Sequence, residues 1–365
     1  MSKSFFITSV DCPAGKREAV LAALKFSAKK SCKAAYFKPI VQNADEPGFK
    51  AAIAAAGLGG DVSSYYGLTL SEAFELLNQG RDGALMDAVL PKFSLLAAQY
   101  DAVVIEGLDI EGPAAGALAA LDAALAANLG SPVILLSGGE IEASALAVRS
   151  YQSRQADVFA LAMVSANPGR VATDKELPPL AGVKVWGLAS PADVAAHLET
   201  ACGPVCGYTP KAMTPKRFEF ELIEKAKADK QHIVLPEGND ERILRAADDI
   251  LKKDFAEITI LGDPDAINKQ AKTLGLTALS AKARLIDHKT SPMLPELTGA
   301  FYELRKAKGI TEEKAAAQML DRNFFATMLV KLKKADGMVS GADGTTADTI
   351  RPALSIIKTK PGCSI

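Results

Sequence analysis

Short, continuous apolar runs punctuate the first half of the chain and alternate with longer alanine- and leucine-rich stretches. Phe5–Ser9, Ala34–Phe37, Ala102–Glu106, Pro132–Ser137, Val158–Val164 and Val183–Leu188 read as strands. They are apolar at successive positions rather than at every second one, as expected of parallel strands covered on both faces. Arg17–Lys30 and Ala114–Asn128 between them read as helices. Strand and helix alternate, which implies a parallel α/β sheet.

A cluster of breakers follows, with Gly203, Pro204, Gly207, Pro210 and Pro215 within residues 203–215, and reads as a linker. Beyond it, a helix is expected over Pro215–Lys227 and a strand over His232–Leu235 that ends in Pro236-Glu237-Gly238. Within Asp240–Lys253, Ile243, Leu244, Ala247, Ile250 and Leu251 fall on one helical face. Strands are expected at Glu257–Leu261 and Ala283–Ile286, and helices at Pro295–Lys308 and Glu312–Lys334. Thr311 can cap the last of these, with Glu312 and Glu313 well placed in its first turn. A strand at Gly337–Val339 leads into a Gly/Ser/Thr-rich turn, and a final helix starts near Asp348. No internal repeat is visible.

The composition narrows the class. The 365 residues are 48% hydrophobic and 23% charged, with a net charge of −1. That balance suits a soluble protein of more than one domain and excludes a disordered chain or a strongly basic nucleic-acid binder. Residues 1–209 carry a net −5 and residues 210–365 a net +4. An anionic ligand of the second part fits this shift, and so do surface lysines. No membrane span is expected: the apolar stretch Ala114–Leu136 is interrupted by Asp122 and Asn128, and Phe5-Phe6-Ile7 is too short for a signal peptide. Cys12, Cys32, Cys202, Cys206 and Cys363 are odd in number and irregular in spacing, which suits a reduced, cytoplasmic protein. Cys202 and Cys206 lack a second ligand pair, and His197, His232 and His288 lack metal spacing, so no metal site is expected.

Two stretches carry candidate chemistry. Val10–Arg17 lies between the first strand and first helix, where a phosphate-binding loop would sit, and holds Gly15 and Lys16. Such loops need a first glycine and a hydroxyl after the lysine. Here Val10 and Arg17 stand at those positions, and Pro13 removes an N–H donor. A degenerate nucleotide loop and an unrelated turn are both open readings. Glu106, at the end of an apolar strand, reads as a strand-end carboxylate. The second stretch, Gly337–Pro352, offers backbone N–H groups, hydroxyls and a helix N-terminus to an anion, with Arg351 as a fixed positive fork. The alternative there is a capped loop.

Residues 210–365 resemble phosphate acetyltransferase through Ile233–Gly238, Phe301–Gly309, Asp336–Ala342 and Thr345–Lys358. The first part is similar to the dethiobiotin-synthetase-like N-terminal domain of the long bacterial form of that family, through Phe37-Lys38-Pro39-Ile40 and Val103–Gly107. The expected fold is therefore α/β. Residues 1–205 form a parallel-sheet, P-loop-like domain, and residues 210–365 the first half of a phosphate acetyl/butyryltransferase domain.

The resemblance implies reversible acetyl transfer between acetyl-CoA and inorganic phosphate, with no metal and no cofactor beyond CoA as substrate. It implies that Arg305 and Arg351 bind CoA or phosphate, and that Ser340, Gly341, Thr345 and Thr346 line the substrate cleft. It also implies a homo-oligomer. Three departures accompany it: Gly344 stands where the family usually has histidine, a middle domain found in many long forms is not expected here, and the family's Ser-Arg pair and catalytic aspartate would lie beyond Ile365. The chain is thus expected to be a C-terminally truncated member, and no residue can be assigned as the thiol's base. The alternative is a non-catalytic regulatory or ligand-binding protein. An ATP-dependent ligase built on the first domain is opposed by Val10 and Arg17.

Overall fold

The computed structural model describes residues 4–10, 13–29, 33–165, 180–199, 208–360 and 362. All five cysteines, Asp11 of the candidate loop and residues 203–207 of the expected linker lie outside them. The chain divides into two compact units, Met1–Phe220 and Glu221–Ile365. The division falls within the helix α8 (Pro215–Ala228), beyond the breaker cluster. The start of that helix belongs to the first unit: the Thr214 hydroxyl donates to Asn128 Oδ1 at 2.7 Å, and Lys216 Nζ donates to Asp87 at 3.2 Å.

In the first unit, seven described strands form one sheet in the order β3-β2-β4-β1-β5-β6-β7. They are β1 (Ser4–Ser9), β2 (Ala34–Val41), β3 (Tyr66–Thr69), β4 (Ala102–Glu106), β5 (Val133–Ser137), β6 (Val158–Val164) and β7 (Lys184–Leu188). Every pairing is parallel. Every residue of β1, β4 and β5 is buried, which explains their unbroken apolar runs. The chain leaves β1 for β2 across the position later filled by β4, and returns on the other side with β5. The carboxyl end of β1 is therefore a topological switch point, the usual place for a site in such sheets. Helix α1 (Pro13–Lys29) starts there, so Gly15 and Lys16 lie in its first turn. Helices α5 (Ala115–Leu129) and α6 (Ile141–Gln152) flank β5 in the chain.

The second unit holds a four-stranded parallel sheet in the order β10-β9-β8-β11. The strands are β8 (Gln231–Leu235), β9 (Ala256–Leu261), β10 (Arg284–Ile286) and β11 (Gly337–Met338). Helix α9 (Glu241–Lys253) is capped by Asp240 and buries Leu244, Ala247 and Leu251. One core cluster joins α9 to β9 and residues 267–279, and a second gathers Leu297, Phe301, Met319, Phe325 and Met328. The single helix expected over Glu312–Lys334 is two, Glu312–Met319 (α13) and Arg322–Lys331 (α14). Asp321 breaks it by accepting hydrogen bonds from Asn323 N and Phe324 N, which starts a new helix. Thr311 caps α13 as expected. Helix α12 (Leu294–Arg305) precedes α13, and α15 (Thr346–Ile356) closes the unit. Among the described residues, no helix is long and apolar enough to cross a membrane.

Gly238 sits where β8 turns toward α9, against the end of β9. A Cβ there would lie 2.6 Å from Leu261 O and 2.7 Å from Ile260 Cγ2. Gly299, inside α12, has open space around it. Gly238→Ala should lower the stability of the second unit by about 1–3 kcal/mol through overpacking. Gly299→Ala should raise it by up to about 1 kcal/mol through helix propensity. Urea unfolding of the two variants checks both signs, and equal effects would contradict this packing.

Candidate functional site

At the switch point of the first unit, Lys16 does not face outward. Its side chain is fully buried, and Nζ donates to Gly107 O at 2.8 Å, Leu108 O at 2.6 Å and Asp109 Oδ1 at 2.6 Å. Three acceptors satisfy the three protons of the ammonium group. The accepting turn is itself fixed from behind. Asp122 of α5 takes Leu108 N at 2.6 Å, the Thr8 hydroxyl at 2.7 Å and the Tyr151 hydroxyl at 2.7 Å. Burial pushes the Asp122 carboxyl up, and these donors work against it.

Further charges surround Lys16. Lys38 of β2 is buried and contacts Glu46 at 2.9 Å, Asp109 at 3.2 Å and Glu106 at 3.7 Å. Arg17 pairs with Glu46 at 2.9 Å and lies 3.9 Å from Glu106. Tyr36 donates to the other oxygen of Glu106 at 2.6 Å, and burial together with that carboxylate pushes its phenol well up. Burial lowers the Lys38 ammonium, but Glu106 and Asp109 outweigh it and the net shift is upward. Burial raises Asp109, but Lys16 and Lys38 hold it below the usual carboxylate range. Thus Gly15 and Lys16 stand where a phosphate loop would stand, yet the lysine is spent on internal acceptors. Glu106, the strand-end carboxylate, faces two side-chain cations.

In the second unit the Gly/Ser/Thr turn is organised by a residue outside it. Glu237 follows β8, is 1% exposed, and its carboxylate accepts from Gly341 N and Ala342 N at 3.0 Å each and from Asp343 N at 2.8 Å. Within the stretch that could offer backbone N–H groups to an anion, an internal carboxylate takes these three. Gly341 has φ of +120°, which turns its amide inward and favours glycine. Arg322 braces the turn through Asp343 O and Asn239 Oδ1, each at 2.8 Å, and Arg242 donates to Ala342 O at 2.5 Å. Ser340 donates to Asn323 Oδ1 at 3.0 Å. Thr345 caps α15, exchanging hydrogen bonds with Asp348 and holding that carboxyl below its usual range.

Arg305, Thr346 and Arg351 come together. With Ile350, Leu354 and Ser355 they line an open cleft of about 510 Å³. Arg305 ends α12 and the other five project from α15. Two guanidinium groups beside an apolar wall suit a ligand that carries both phosphate and carbon chain. Of the six residues expected at the substrate site, three share this cleft. Ser340, Gly341 and Thr345 instead make contacts that shape the turn leading into it. Sequence reasoning missed Glu237, Asn239, Arg242 and Arg322, although a polar run directly after a strand was the available signal. Among the described residues, no group of three His, Cys, Asp or Glu side chains could hold a metal ion. His197 stacks on Trp186, His232 meets Thr259, and His288 packs edge-on to Phe325.

A doubly built α/β protein with a P-loop-like first unit is the class these features define, and comparison with known proteins agrees. Residues 3–194 match the AAA domain model, and residues 217–365 match the phosphate acetyl/butaryl transferase model. A phosphate acetyltransferase of Nitratidesulfovibrio vulgaris is 28% identical over 525 aligned positions, covering 100% of this chain and 74% of that protein. One of Helicobacter pylori is 35% identical over 80% of this chain and 54% of its own length. One of Corynebacterium glutamicum is 48% identical over 42% of this chain and 46% of its own length. The chain spans about half the length of the last two relatives. Through its first unit the chain belongs to the AAA-domain family, and its second unit is similar to phosphate acetyltransferases.

A depressed carboxyl contributes stability that is present above its unfolded pKa, about 3.9 for aspartate, and is lost as the pH falls through the lower folded value. Asp109 is such a group. Urea unfolding of the first unit should therefore weaken on acidification below about pH 4. Asp109→Asn should be less stable at pH 7 and show a shallower acid loss. An identical pH profile would contradict the Lys16–Asp109 pairing.

Proposed function

We propose that this chain catalyses, as a phosphate acetyltransferase, reversible acetyl transfer between acetyl-CoA and inorganic phosphate. The observation that carries the reading is the convergence of Arg305, Thr346 and Arg351 on one cleft with an apolar wall. Both substrates carry phosphate, and arginine forks grip phosphate through paired charge-assisted bonds. The pantetheine arm of CoA suits Ile350 and Leu354. The reaction is a direct attack of phosphate oxygen, or in reverse of CoA thiolate, on the acyl carbonyl. A donor fixed toward the developing oxyanion, such as the Thr346 hydroxyl, lowers that barrier. The scheme itself calls for no metal and no redox cofactor.

The family relationship supports this reading, and three finer statements accompany it. Ser340, Gly341 and Thr345 serve by shaping the turn. The protein acts in the cytoplasm, where its substrates occur. It assembles as a homo-oligomer, an arrangement that would cover exposed Val339 and Ile357.

Acetyl-CoA formation from acetyl phosphate and CoA, followed with the purified chain, tests the proposal. Removing one charged phosphate contact is worth about 1.5–3 kcal/mol, so Arg351→Ala should lower kcat/KM roughly ten- to hundredfold. No turnover by the folded chain, or unchanged kinetics in Arg351→Ala, would overturn it.

A further inference from the structure

All four strands of the second sheet run parallel, so its two edges are chemically distinct. The turn held by Glu237 follows the carboxyl ends of β8 and β11. A separate cavity of about 260 Å³ lies over one face of the sheet. His232 is the second residue of β8, Arg284 the first of β10, and Lys334 precedes β11; all three line it. Register explains why their side chains meet. Arg284 pairs directly with Thr259, and Thr259 pairs with Val234, two residues beyond His232. Residues opposite one another, or two apart along a strand, share a face of the sheet.

The floor is polar and dry. Thr259 is 1% exposed, and its hydroxyl lies 2.7 Å from His232 Nε2. A hydroxyl has one donor and two acceptor positions, so this contact leaves it further capacity. The walls, Ile286 and Leu329, are apolar. Lys334 Nζ shares its charge with Glu296 at 3.0 Å. The Arg284 side chain makes no hydrogen bond or ion pair among the described residues. A planar fork of five donors thus stands at the mouth of a pocket with a hydroxyl and an imidazole at its base.

We propose that this cavity binds a small organic anion, an oxyanion head with a short apolar body. The head would meet Arg284 and Lys334, and the body would lie against Ile286 and Leu329. The cavity is smaller than those that take drug-sized ligands, which restricts the occupant to a few heavy atoms. No residue lines both this cavity and the Arg305–Arg351 cleft, so its occupancy does not depend on acetyl transfer.

Calorimetric titration of the full chain tests this, with pentanoate, n-propyl phosphate and neutral pentanamide as probes. Saturable binding of pentanoate or of propyl phosphate is expected, and the tighter of the two identifies the head group. Pentanamide should not bind. Loss of a charged contact should weaken binding roughly tenfold or more in Arg284→Met and in Lys334→Met. Both positions are solvent-exposed, so both variants fold, and Arg351→Ala should bind as the wild type does. Binding of neither anion, equal binding of pentanamide, unchanged affinity in both Met variants, or loss in Arg351→Ala would each overturn the proposal.

Discussion

A carboxylate withdrawn from water must be met by donors, and Glu237 is met by three backbone amides of one turn. Burying that charge alone would cost several kcal/mol, while each charge-assisted hydrogen bond returns about 1.5–3 kcal/mol. The contact joins the turn after β8 to the turn after β11, which are 104 residues apart in the chain. It dictates the surrounding structure. Gly238 must lack a side chain so that the turn after β8 can pass against Leu261 O and Ile260. Gly341 must adopt a positive φ so that its amide faces the carboxylate. Arg322, Asn239 and Arg242 then fix the outside of the same turn, and α15 leaves it at an angle that presents Thr346 and Arg351 to Arg305.

The first unit applies the same physics with the sign reversed. There a buried ammonium, Lys16, is met by two carbonyls and a carboxylate of the turn after β4. The scaffold is that of a nucleotide-binding sheet, with a helix starting at the switch point beside a strand-end acid. Its charges are paired with one another. Both units thus keep a loop at the carboxyl end of a parallel sheet rigid by sinking an ion into backbone groups of that loop.

The sequence made the strands legible where burial on both faces imposes unbroken apolar runs. Ala102–Glu106 and Val158–Val164 have the bounds the pattern predicts. Tyr66–Thr69 was not legible, because a short, half-buried edge strand containing glycine has no such run. The break at Asp321 was hidden, since one polar residue within a helical period looks like a solvated face. That Arg305, Arg351 and Thr346 lie together could be expected from motif and family resemblance. Glu237, Lys38 and Asp109 could not, because their roles come from partners distant in the chain. Periodicity reports which face of an element is buried; it does not report which distant ion that face encloses.

The central claim is that Glu237 holds the turn over residues 341–343. Amide hydrogen exchange of Gly341, Ala342 and Asp343, followed by NMR in the wild-type chain and in Glu237→Ala, tests it most directly. Slow exchange of all three amides is predicted in the wild type. In the variant they should exchange rapidly while the amides of β8 and β9 stay protected. Equal protection of the three amides with and without the carboxylate would contradict the account.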